Sequence, residues 1–216
     1  MTKRKNYNSV IFLTTLSVYL GLVLVGAPAS VLAQVNSVTS QNKNVNSEDE
    51  FNNKPIDEFT DKVRQLISNG KLNLSKPFEI QFVADVVGKD FTNPKFQLIF
   101  GDSLIDELQK QWFEAISKSN FSVDGSLVDE IGFAAKNDGK TFTTKVSLNV
   151  KKAEDVLTFK SAFSVGLLIA KKESQRLSLQ IIAENSVVSS ENNQVFIVTR
   201  LPRGSLDALL AKNSAK

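Results

Sequence analysis

The 216 residues include no histidine and no cysteine, so any chemistry falls to Ser, Thr, Lys, Arg, Asp and Glu. Without an imidazole there is no Ser-His-Asp triad and no histidine base. Without a thiol there is no cysteine nucleophile, and zinc or copper centres built on His or Cys are excluded.

Four spacings could still carry chemistry. Gly139-Lys140-Thr141 matches the end of a phosphate-binding loop. That motif needs a glycine five residues before its second Gly and must open a helix. Position 134 is alanine, and the segment reads as a hairpin turn. Ser68-Asn69-Gly70-Lys71 matches the Ser-x-x-Lys of penicillin-binding enzymes. It falls at a helix end, where Asn-Gly is a stop signal, and Lys140-Thr141 is followed by Phe142 rather than glycine. Asp102, Asp106, Glu107, Asp129 and Glu130 could pair as acid and base in a carboxylate-dependent hydrolase. Asp102 and Asp106 sit in the first turn of a helix, where negative charge is favourable without any chemistry, and Asp129 and Glu130 precede a strand. Asp124-Gly125-Ser126 with Asp129-Glu130 offers oxygens to calcium, without the regular ligand series of an EF-hand; a surface turn accounts for it.

The apolar residues suggest a different site. Trp112 lies on a helical stripe with Leu108 and Ile116, which assigns it to packing rather than sugar stacking. Phenylalanine without nearby tyrosine points to rings used for burial. A pocket for an apolar or lipid ligand would be built from Trp112, Phe159, Phe163 and Leu167.

These residues must be positioned by elements that the periodicity reveals. Ile56, Phe59, Val63, Leu66 and Ile67 recur at helical spacing after Pro55, and Asn69-Gly70 ends that helix. From Phe78 to Val86 the period is two, a half-buried strand. Gly88 to Pro94 is expected to be a turn before a second strand over Phe96–Phe100. Asp102 or Ser103 caps the Trp112 helix. A hairpin follows around Asn137-Asp138-Gly139, then a long helix from Ala153 to about Lys172. Its run Ala162–Ala170 is apolar almost all round, which predicts a centrally buried helix. Residues 174–185 lean to helix. Val187-Val188 and Val195–Leu201 form a last hairpin around Glu191-Asn192-Asn193, and Ser205–Lys212 a terminal helix. The order predicts one α+β domain over 55–213, an antiparallel sheet of about six strands packed by helices on one face, with a recurring ββα order.

Ahead of that domain, Lys3, Arg4 and Lys5 precede an apolar run from Val10 to Val25 and small residues ending at Ala33. Residues 1–33 therefore read as a bacterial secretory signal peptide. The absence of cysteine excludes a lipid-modified mature N-terminus. Residues 34–54, rich in Asn, Ser and Gln, read as a disordered polar linker. Removing the leader leaves 23 basic and 23 acidic side chains, and neither Tyr nor Met. A neutral domain lacks the charge that a nucleic-acid or membrane-surface binder uses. The expectation is an exported non-catalytic binding or scaffold domain, in the periplasm or secreted, with no cofactor or metal. Its partner would belong to the envelope or exterior. An apolar-ligand carrier and a carboxylate-dependent hydrolase are the alternatives.

Overall fold

The computed structural model describes Asn52, residues 54–119, Phe121, residues 123–173 and residues 177–205. The expected leader, the linker up to residue 51 and the terminal helix beyond Ser205 lie outside these residues. The elements run α1 Lys54–Ser68, β1 Phe78–Val87, β2 Asp90–Phe100, α2 Ser103–Ser117, β3 Val128–Asn137, β4 Thr141–Val150, α3 Ala153–Glu173, α4 Leu177–Glu184, β5 Ser186–Glu191 and β6 Gln194–Pro202. The six strands form one antiparallel open sheet in the order β2-β1-β3-β4-β6-β5, so the fold is α+β.

Strand alternation decides which side is covered. In β1 every second residue, from Phe78 to Val86, is buried, and the residues between are half-buried. The strand register carries this inner face across the whole sheet. Phe96, Phe82, Phe133, Val146, Ile197 and Val188 stand in one row, one from each strand. Helix α2 covers the β1–β2 side of that face, α1 packs against α2 with Phe59 and Val63 near β1, β3 and β4, and α3 and α4 cover the β4-β6-β5 side. The opposite face keeps polar pairs such as Lys136–Glu79 at 2.8 Å, with Lys145 Nζ 3.9 Å from the centre of the Phe196 ring.

Local chemistry sets the boundaries. Asp102 caps α2 in an extended conformation, its side chain accepting from Ile105 N at 3.2 Å, which satisfies one orphan helix donor. In the β3–β4 turn, Asp138 Oδ1 accepts from Lys140 N at 2.8 Å and Thr141 N at 2.7 Å, while Gly139 takes a φ of +86°. The β1–β2 turn is held from outside: Gly125 N donates to Gly88 O at 2.7 Å. A Cβ on Gly125 would lie 2.7 Å from that oxygen, so only glycine allows this approach.

Two expectations are corrected. The segment Gly88–Pro94 is not all turn, because β2 begins at Asp90. Pro94 is tolerated because β2 is an edge strand and the residue sits in a β-bulge, marked by a register shift opposite Val83–Asp85 and by Asn93 at a φ of +51°. Helix α3 is not centrally buried. Val156, Phe163, Leu167 and Ala170 are buried against the sheet side, but Leu157, Val165, Leu168 and Ile169 are exposed. A helix whose apolar residues encircle it needs neighbours on every side to be buried, and α3 roofs an outer part of the sheet. The segment left between helix and strand is helical over Leu177–Glu184. Among the described residues, no helix is long and apolar enough to cross a membrane.

Candidate functional site

The polar spacings are placed in structural roles. Ser68 Oγ donates to Gln65 O at 3.1 Å within the last turn of α1, and Lys71 is exposed in the turn beyond it. Gly139-Lys140-Thr141 forms the β3–β4 hairpin turn and opens no helix. Asp106 accepts from Lys110 at 2.5 Å and from Gln109 at 2.7 Å. Those hydrogen bonds, Lys110 first, hold its carboxyl below the usual carboxylate range. Asp129 pairs with Lys151 at 3.4 Å. Asp124 accepts from Ser126 N at 2.8 Å, closing a local turn, and hydrogen bonding from Ser126 pulls its pKa down. Asp102, Asp106 and Glu107 thus belong to the start of α2, and Asp129 and Glu130 to the start of β3. Among the described residues no three His, Cys, Asp or Glu side chains gather as a metal site would need.

Of the four apolar pocket residues, the structure joins three and separates one. Phe159, Phe163 and Leu167 follow one another along α3, with the Phe159 and Phe163 rings 6.1 Å apart. Trp112 belongs to α2 and a different cluster. Its ring lies 4.2 Å from that of Phe133 and 5.1 Å from that of Phe82, and Phe113 and Phe96 extend the same cluster. Such ring pairs add about 0.5–1.5 kcal/mol each beyond their burial. Beside Trp112 a void of about 50 Å³ lies between α1, α2 and the sheet, with Gln109 the one polar side chain on its wall. Trp112 is the only one of the four that lines it. An engineered apolar cavity that admits benzene measures about 150 Å³, so this void is small for an organic ligand.

The most unusual surface is the back of α3. Leu157 is 68% exposed, Leu168 50%, Val165 41% and Ile169 40%. Ser161 and Ser164 are exposed between them, and Ser164 Oγ turns back to donate to Lys160 O at 2.8 Å. At 3.6 residues per turn, Leu157, Ser161, Val165 and Leu168 fall on one side of the helix. The stripe runs from residue 157 to residue 169, about 18 Å at 1.5 Å per residue. It is bounded by Glu154 and Asp155 in the first turn and by Lys171 and Lys172 in the last. A face with Leu157 at one end, Val165, Leu168 and Ile169 at the other, small serines between and charges beyond has the mixed make-up of a contact surface.

Periodicity missed this surface, because an apolar run does not say which of its sides meets the sheet. Its signal was present in the run Ala162–Ala170, which holds more apolar residues than one buried face can use. Asn137 does more than make the expected turn. It is buried, and its Nδ2 donates to Leu74 O at 2.7 Å and Lys76 O at 2.9 Å, tying the hairpin to the α1–β1 connection. Family models, curated proteins and solved structures give no significant match to this chain.

Proposed function

We propose that this chain is an exported, non-catalytic binding or scaffold domain of the periplasm or cell exterior, and that it engages its partner through the back of α3. The observation carrying the reading is the exposure of Leu157, Val165, Leu168 and Ile169 on one helix. Leaving large apolar side chains in water forgoes about 1.5–3 kcal/mol each relative to full burial. A partner that covers the stripe recovers part of that energy. The basic, apolar and small-residue order of residues 1–33 supports export.

Two measurements test the two halves of this reading. A photo-crosslinking residue placed at Leu168 in the native host is expected to give a defined adduct, and the same residue at Glu107 on α2 is expected to give none. Equal labelling at both positions, or none at Leu168, rejects the contact surface. Cell fractionation with N-terminal sequencing is expected to find a soluble form starting near Gln34. Met1 retained in membranes would mean an anchored protein, and intact chain in the cytosol would reject export.

A further inference from the structure

The back of α3 also indicates what covers it: we infer that it packs against the same face of a second copy of this chain, antiparallel, about a two-fold axis near residue 163. The inference rests on reading that face as a contact surface. The charges along the helix favour that arrangement. Glu154 and Asp155 stand in the first turn, with Lys152 just ahead of the helix 3.9 Å from Glu154, and Lys171 and Lys172 stand in the last turn. An antiparallel two-fold about residue 163 brings Glu154 level with Lys172 of the second copy, and both lie on the stripe's side of the helix.

The same operation brings Leu157 level with Ile169, beside Leu168, and Ser161 level with Val165. Ser161 and Ser164 put small side chains at the centre, where the helix axes must come closest. Both ends of the apolar stripe meet apolar residues, and each Glu154 meets a Lys172. The helix dipoles also oppose each other favourably in this arrangement. A parallel pairing would instead set Glu154 against Glu154 and Lys172 against Lys172, a like-charge arrangement that costs free energy. An anionic lipid surface would attract Lys171 and Lys172, as it does the basic flanks of helices that lie on membranes, but it would set the exposed Glu154 against like charge. A two-fold contact of one patch with itself closes at two copies, so a dimer is the expected assembly.

The test is sedimentation velocity of the whole chain over a range of concentrations, which should show a monomer–dimer equilibrium. Leu168→Glu places an unpaired charge in the seam and should weaken association at least about thirty-fold. Glu154→Lys should weaken it about fivefold, because the pair occurs twice. Adding Lys172→Glu to that variant should restore it. These positions are exposed, so circular dichroism and the melting temperature of the dilute monomer should not change. The chain has no cysteine, so Ser161→Cys supplies a unique thiol. A short bis-maleimide should join two Ser161→Cys chains, and should leave Ser126→Cys chains single. A monomer at every concentration overturns the pairing, as does a dimer indifferent to Leu168→Glu and to the charge exchange. A monomeric chain whose Leu168 adduct has another mass overturns the pairing and keeps the contact surface; no adduct at all removes both. Co-sedimentation of a monomeric chain with phosphatidylglycerol–phosphatidylcholine vesicles, lost in Leu168→Glu, overturns the pairing in favour of lipid.

Discussion

Helices α2 and α3 both roof the inner face of one sheet, yet their outer faces differ. Exposed positions of α2 are Ser103, Glu107, Lys110, Glu114 and Ser117, and Lys110 and Lys118 pair along its surface with Asp106 and Glu114. Exposed positions of α3 include Leu157, Val165, Leu168 and Ile169. The inner faces do comparable work: Trp112 and Ile116 are buried under α2, as are Phe163 and Leu167 under α3. Folding requires one apolar face per helix. The second apolar face of α3 therefore contributes little to the fold, and the proposed contact would give it a use.

Removing either inner anchor should break the domain alike. Trp112→Ala and Phe163→Ala should each cost about 3–5 kcal/mol in urea unfolding. A loss under 1.5 kcal/mol at Phe163 would mean that α3 is not a true roof. The two halves also differ in how they are held beneath the helices. The first is an aromatic cluster, whereas the second contains a buried polar contact, Ser186 Oγ with Thr199 Oγ1 at 2.7 Å and with Ile182 O at 2.7 Å. Thr199→Val should cost about 1 kcal/mol, because Ser186 keeps its bond to the Ile182 carbonyl. A cost of 3 kcal/mol would show a wider network than these two bonds.

The outer faces should respond in the opposite sense. Leu168→Ser should change the stability of the dilute protein by less than about 0.5 kcal/mol, measured by thermal melting at low concentration. A larger loss would mean that the stripe already serves the fold. On α2 the outer face is electrostatic. The hydrogen bonds from Lys110 and Gln109 lower the pKa of Asp106 in the folded chain. Its contribution is present above the unfolded value of about 3.9 and is lost as pH falls through the lower folded value. Asp106→Asn should therefore flatten the drop in stability below about pH 4, as followed by acid titration of the melting temperature. An unchanged acid limb would assign that drop to other carboxylates.

Much of the architecture was legible because period and punctuation agree. The alternation Phe78–Val86, the Asn137-Asp138-Gly139 turn and the Asp102 cap each state a local rule, and the structure places each there. The start of β2 was not legible, because Pro94 reads as a turn unless one knows that its strand lies at an edge, and that is a fact of sheet order. The candidate surface was half legible. The excess of apolar residues in Ala162–Ala170 was visible, but its orientation depends on where α3 sits on the sheet. That position follows from the pairing of β4 with β6, far apart in sequence.

On the proposed function, the back of α3 is covered when the protein works. Hydroxyl-radical footprinting of the full chain, dilute and then at its native concentration in envelope extract, tests it most directly. Leu157, Val165, Leu168 and Ile169 should react when dilute and become protected in the second condition. Val87 and Ile99, equally open on the first half of the sheet, should react in both. Stripe residues that stay as reactive as Val87 and Ile99 would contradict the account.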